Sequence, residues 1–135
     1  MLGNYQQSQL RIEVSASKSA IADALLKPAN LRQWYWFARL ESGLPEQFTP
    51  GLTYTGYLGP IALHYVVDIA SETCLRSQLS GAIDGYHEWS WGENWVQSRL
   101  EGITALPLNF GQTLGLISLR TYLQRQEAAH PTQSP

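Results

Sequence analysis

Residues 86–95, YHEWSWGENW, combine a histidine and a glutamate with three of the chain's five tryptophans. His87-Glu88 forms the first two letters of the zinc-protease motif HExxH, in which two histidines four residues apart on a helix hold the metal. Trp91 stands in the position of the second histidine, and the segment alternates as a strand does. We therefore expect no metal site at this stretch.

The tryptophans allow three interpretations. Side chains alternate between the two faces of a strand, so His87, Trp89 and Trp91 share one face. On an exposed face, the two indoles could stack on sugar rings or unpaired bases, although soluble monomers seldom expose so large an apolar patch without a function. On an inward face, they fill the core or line a cavity. The residues alone leave these alternatives open.

Composition narrows the class of protein. At 135 residues the chain is long enough for one domain with a single core. The formal net charge is −2 and the nine basic residues are scattered, so nucleic acid is a poor partner. Cys74 is the only cysteine, which excludes an intrachain disulfide, and the sequence contains no GxGxxG, P-loop or GxSxG motif. We expect no cofactor.

The N-terminal residues do not resemble a secretory signal. The N-terminus lacks a basic start followed by an apolar run, and no stretch approaches the roughly 20 apolar residues of a membrane span. We therefore expect a cytoplasmic protein without stable membrane insertion. We also expect the protein to be a monomer or a homodimer. Residues 1–135 are expected to form one domain, with 1–7 and 127–135 as loose tails.

The first third of the chain predicts one strand followed by two short helices. Leu10, Ile12 and Val14 alternate with charged residues, as in a half-buried strand. Ser17 is a candidate N-cap for a first helix, and Pro28 favours the start of a second. A strand is then expected in WFARLES, residues 36–42.

The middle of the chain predicts an antiparallel meander. Short alternating segments follow one another, and Gly59-Pro60 and Asp84-Gly85 mark turns between them. The residues expected on inward faces include Tyr54, Gly56, Ile61, Leu63, Tyr65, Val67, Ile69, Leu75, Ser77 and Leu79.

The last segment changes to the helical period. Leu116, Leu119, Tyr122 and Leu123 recur at spacings of three and four residues, and an adjoining stripe carries Phe110, Leu114 and Ile117. Gly111 and Gly115 are expected to mark a close approach of backbones. A sheet with one face to cover and one long apolar helix predicts a two-layer α+β domain.

This pattern resembles the START/polyketide-cyclase superfamily, the SRPBCC or helix-grip proteins. The similar stretches are VSAS (14–17), ALL (24–26), KPANLRQW (27–34), the strand run from Phe37 to Leu106, and the helix ending LRTYLQRQ. Lys27 replaces the acidic residue that usually precedes the proline in that family. The resemblance implies a curved antiparallel sheet wrapped around the long C-terminal helix, with an apolar ligand held in a cavity between them.

Small residues on the inward faces, namely Gly56, Ser77, Ser98 and Gly102, imply volume that the final helix or a ligand must fill. Ligand contacts are then expected from Trp36, Tyr54, Leu63, Tyr65, Ser77, Leu79, His87, Trp89, Trp91, Leu116 and Leu119.

The first functional hypothesis is a non-catalytic binder or carrier of a hydrophobic small molecule such as a lipid, an isoprenoid or a polyketide-like compound. The alternative is a polyketide cyclase or aromatase-like enzyme, in which Tyr65 and His87 are the candidate acid and base. A third hypothesis is a protein-interaction module without a ligand.

Overall fold

The computed structural model describes residues 3–35 and 38–129. Seven strands form one curved antiparallel sheet in the order β1-β7-β6-β5-β4-β3-β2, with three helices beside it. The elements are β1 (Asn4–Glu13), α1 (Lys18–Leu26), α2 (Pro28–Trp34), β2 (Arg39–Leu40), β3 (Thr53–Leu58), β4 (Ile61–Ala70), β5 (Cys74–Gly81), β6 (Asp84–Gly92), β7 (Trp95–Thr104) and α3 (Leu108–Ala129). The predicted α+β class and helix-grip arrangement are confirmed.

Local signals fix the two short helices where the sequence predicts them. The Oγ of Ser17 accepts a hydrogen bond from the backbone N–H of Ala20 at 3.1 Å, which caps α1. Pro28 occupies the first turn of α2, where its missing N–H leaves no donor unpaired. The buried Trp34 indole then donates to the carbonyl of Ala24 at 3.0 Å, so α2 is held against α1.

Strand β4 departs from the predicted alternation at both ends. Leu63, Tyr65 and Val67 are buried as expected, but Ile61 and Ile69 are 46% and 43% exposed. The register between β4 and β5 shifts between Val67 and Ile69, so the inward series ends at the bulge. Ile61, the first residue of the strand, lies at the exposed turn end. The expected inward position of these two isoleucines is wrong.

The strand expected at 36–42 is shorter in the described residues. Strand β2 comprises only Arg39–Leu40, paired with Tyr57 and Gly56 of β3. Trp36 and Phe37 lie outside the described residues. The connection from 41 to 52 contains bends and one turn, and the side chain of Phe48 lies in the core at 1% exposure.

Helix α3 packs one stripe against β1, β7, α1 and α2. The residues buried on this stripe are Leu108, Gln112, Gly115, Leu116, Leu119 and Leu123. On the adjoining stripe, Phe110 and Ile117 are 62% and 47% exposed. None of the described helices is long and apolar enough to cross a membrane.

Part of each predicted tail belongs to a strand or a helix. Residues 4–7 belong to β1 and pair with residues 101–104 of β7. Residues 127–129 continue α3. The remaining parts of the expected tails, 1–2 and 130–135, lie outside the described residues.

Candidate ligand-binding cavity

The two indoles of β6 point toward the interior, as one of the three interpretations requires. Trp89 and Trp91 are 6% and 1% exposed. The ring of Trp89 meets the Trp34 ring of α2 edge-on, with centroids 5.9 Å apart. Stacking of sugars or bases on an exposed pair of indoles is therefore excluded.

A cavity of about 100 Å³ lies between α3 and the inner face of the sheet. Its wall is mostly apolar, and strands β3 to β7 each direct at least one side chain toward it. The aliphatic lining residues are Leu58, Leu63, Leu79, Ile83, Leu100, Leu106 and Leu108. The remaining lining residues include Tyr35, Tyr65, His87, Trp89, Ser98 and Gln112, together with two glycines of α3.

A second cavity of about 30 Å³ lies deeper, beside α2 and β2. Tyr54, Ser77 and Leu75 line it, together with Leu31 and Leu40. Four residues line both cavities, and their side chains therefore form the partition between the two spaces; they are Tyr35, Tyr65, His87 and Trp89.

Two of the small residues of the sheet, Gly56 and Gly102, do not account for the larger cavity. A Cβ added at Gly56 would lie 3.3 Å from Cε2 of Tyr65, so the tyrosine ring already covers that position. The Tyr65 ring also stacks on Tyr54, with centroids 4.4 Å apart. At Gly102 an added Cβ would lie 2.5 Å from the carbonyl oxygen of Asp84, so this glycine permits a close approach of strands. The expected missing volume at these two glycines is wrong.

The missing volume lies on the helix instead. Gly111 and Gly115 both line the larger cavity. A Cβ added at Gly111 would meet no atom within 4 Å among the described residues, outside its own helical backbone and its chain neighbours. The expected close backbone approach is therefore wrong for Gly111, which borders open space.

A polar cluster forms one part of the cavity wall. The Nε2 of His87 lies 2.8 Å from the Oγ of Ser98. The Nε2 of Gln112 donates to the same Oγ at 3.1 Å, to the backbone oxygen of Ser98 at 3.2 Å and to that of Ser8 at 3.1 Å. The Oε1 of Gln112 is buried and has no hydrogen-bond partner among the described residues.

Burial sets the protonation states of the titratable groups. Desolvation lowers the pKa of His87 to about 4, so the imidazole is neutral at pH 7. Desolvation also raises the pKa of Tyr35 to about 12. The pKa of Tyr65 is raised by burial first, and also by its hydrogen bond with Tyr35. These phenols therefore remain protonated and act as hydrogen-bonding groups.

The structure brings most of the predicted site residues together. Those that line at least one cavity are Tyr54, Leu63, Tyr65, Ser77, Leu79, His87 and Trp89. Trp91, Leu116 and Leu119 are buried in the core and line neither of these two cavities, so the structure does not bring them together with the others. The prediction for Trp36 lies outside the described residues.

Sequence reasoning expected Leu116 and Leu119 to represent α3 in the ligand wall and missed Gln112, which lines the cavity. Gln112 lies four residues from both Leu108 and Leu116, on the buried stripe of the helix. A polar side chain that interrupts an apolar stripe at helical spacing is the signal that could have identified it. For Gly111, the sequence predicts a close approach of backbones and not a position in the cavity wall.

No protein-family model and no curated protein sequence matches the chain. Solved structures do match. DynU16, a protein in the dynemicin biosynthetic locus, is 18% identical with a TM-score of 0.70 and covers 89% of this chain. The match covers 48% of DynU16, so this chain spans about half of its length.

Two further matches extend over nearly the whole of both chains. The AHSA1-like protein from Aeromonas hydrophila is 12% identical with a TM-score of 0.71, over 96% of this chain and all of that one. The Aha1 dimer from Colwellia psychrerythraea is 17% identical with a TM-score of 0.61, over 87% and 96% of the two chains. The protein therefore shares the helix-grip fold of these solved structures, which is the fold that the resemblance implied.

Proposed function

We propose that this protein binds a small, mostly apolar molecule in the cavity between α3 and the sheet. The observation that carries the proposal is the open space at Gly111, which faces an aliphatic wall. A glycine in a helix interior costs roughly 0.5–1 kcal/mol relative to alanine. An alanine would fit at this position without a clash, so the glycine leaves room at the expense of stability.

The cavity itself has an energetic cost that a ligand would relieve. Protein interiors are close-packed and contain few voids larger than a water molecule. The space of about 100 Å³ is partly open, and the side chains that line it lack packing partners on that side. An apolar molecule that fills this space restores contacts with the leucine wall.

Volume limits the size of the occupant. Sites for drug-sized ligands measure roughly 300–1,000 Å³, whereas an engineered apolar cavity of about 150 Å³ binds benzene. A space of about 100 Å³ therefore matches one small ring or a short aliphatic chain. A lipid, an isoprenoid or a polyketide would need the partition around Tyr65 to open. We propose the smaller class of ligand for the conformation described.

Binding is favoured over the cyclase-like alternative by the state of its two candidate catalytic residues. A general acid or base works best with a pKa near the operating pH. The pKa of His87 is about 4 and that of Tyr65 is raised, so both are poorly matched to proton transfer at pH 7. Both are suited to orienting a ligand through hydrogen bonds.

The proposal is tested by comparing two leucine substitutions on α3. Gly111→Leu introduces a side chain at the cavity, and Thr113→Leu introduces the same side chain at an exposed position. Benzene and toluene are titrated into each ¹⁵N-labelled protein, and binding is followed by amide chemical shifts. We expect binding to the wild type and to Thr113→Leu, and its loss in Gly111→Leu.

Two outcomes would overturn the proposal. One is an absence of binding to the wild type by benzene, toluene, short alkanes and longer fatty acids alike. The other is equal binding to Gly111→Leu and Thr113→Leu, which would place the ligand outside the cavity.

A further inference from the structure

We infer that the ligand is a neutral molecule with one O–H or N–H donor, which it gives to the Oε1 of Gln112. This inference rests on the proposed binding function and specifies the class of ligand. Gln112 then selects ligands that carry a hydrogen-bond donor, whereas the aliphatic side chains of the wall contribute only apolar contacts.

The orientation of the Gln112 amide is set by its neighbours. The side chain is 4% exposed, and its Nε2 lies within 3.2 Å of two backbone carbonyl oxygens, those of Ser8 and Ser98. An amide turned by 180° would place its oxygen against those two carbonyl oxygens, and acceptors repel one another. Both N–H donors are therefore used, and the oxygen is the atom that is left without a hydrogen-bond partner among the described residues.

A buried acceptor without a donor is unfavourable, and nearly all such groups in proteins have a partner. Gln112 lines the cavity, and its Oε1 has no partner among the described residues. The hydroxyl of Ser98 does not supply this donor, because its Oγ already interacts with the Nε2 of His87 and with the Nε2 of Gln112. A ligand in the cavity can supply the missing donor.

The lining also excludes a charged ligand. Among the described residues that line the cavity, none is Asp, Glu, Lys or Arg. An ion placed there would lose its hydration without gaining a counter-charge, which is strongly unfavourable. The volume of about 100 Å³ restricts the occupant to about one ring, so hydroxy- or amino-substituted rings and short alcohols form the class.

The test compares phenol with toluene, which have nearly the same shape and differ in the donor. Dissociation constants are measured by NMR titration for the wild type, Gln112→Met and Thr113→Met. Methionine keeps the length of the glutamine side chain and removes the acceptor, and Thr113→Met places it at an exposed position of the same helix. We expect phenol to bind about tenfold or more tightly than toluene to the wild type and to Thr113→Met. The preference should disappear in Gln112→Met, while toluene binding remains.

Each other outcome has a defined meaning. Equal affinity of the wild type for phenol and toluene overturns the donor requirement and leaves the proposed function intact. Benzoate binding as tightly as phenol overturns the neutrality requirement. Absence of binding by both phenol and toluene overturns this inference, and it overturns the proposed function as well when benzene, short alkanes and longer fatty acids also fail to bind.

A crystal structure of the wild type with phenol provides a second measurement that does not depend on the folding of Gln112→Met. The phenol O–H should lie within 3.2 Å of the Oε1 of Gln112. A structure with a water on Oε1 and phenol bound elsewhere would overturn the inference.

Discussion

His87 makes the stability of this fold depend on pH, because burial removes its ring from water. Its Nε2 lies 2.8 Å from the Ser98 Oγ, and its centroid lies 4.8 Å from that of Trp89. Burial lowers its pKa to about 4 in the folded protein, against about 6.5 in the unfolded chain. Between these values the unfolded chain binds a proton that the folded protein does not. Stability from this residue is therefore complete above pH 6.5 and is lost as the pH falls toward 4.

We expect the wild type to lose about 2 kcal/mol more unfolding free energy than His87→Gln between pH 7 and pH 4.5. Glutamine does not titrate, and its amide can still bond to Ser98. Urea unfolding at the two pH values measures the difference, and all other titrating groups are common to both proteins. Equal losses in the two proteins would contradict the assigned burial of the imidazole.

At the scale of the secondary-structure element, the bulge in β4 decides which side chains face the helix. Val67 is 1% exposed, whereas Ile69, two residues further along, is 43% exposed. In a regular strand these two residues would share a face. The shift in register after Val67 ends that relation and turns the last part of β4 toward the solvent.

Lysine substitutions at these two positions test the bulge. Ile69→Lys should change the unfolding free energy by less than about 0.5 kcal/mol, because the ammonium group remains hydrated. Val67→Lys should prevent folding or destabilise by several kcal/mol, because it buries a charge without a partner. Thermal unfolding by circular dichroism compares the two. Similar destabilisation by both lysines would show that β4 continues without the bulge.

Features that depend on neighbouring residues are predictable from this sequence, whereas features that depend on pairing between strands are not. The Ser17 cap, the proline start of α2 and the alternation of β5 depend on neighbours in sequence, and all three are correctly predicted. The bulge in β4 and the shortness of β2 depend on pairing with other strands. Periodicity within one segment contains no information about its partner.

The candidate site shows the same limit. Strand alternation predicts that Tyr65, His87 and Trp89 share the inner side of the sheet, and they do. It does not predict which part of α3 lies opposite them. The cavity therefore appears at Gly111 and Gln112, whereas Trp91 is packed in the core.

At the scale of the whole molecule, two layers are joined mainly along one stripe of α3. Leu116, Leu119 and Leu123 are at most 3% exposed and belong to the same core cluster as the buried residues of the sheet and of α1. Further toward the N-terminus the stripe changes to Gln112 and Gly111, where the cavity lies. The helix thus has a tightly packed C-terminal half and an N-terminal half that borders the cavity.

This division predicts where truncations are costly. Leu119→Ala should destabilise the protein by about 2–5 kcal/mol, since it removes a fully buried side chain and leaves a void. Ile117→Ala removes a side chain that is 47% exposed on the outer side of the same helix, and should change stability by less than about 1 kcal/mol. Both values follow from urea unfolding at pH 7, where His87 is neutral in either state of the chain. A larger loss from Ile117→Ala than from Leu119→Ala would mean that α3 presents its other face to the sheet, and the cavity at Gly111 would then have no structural basis.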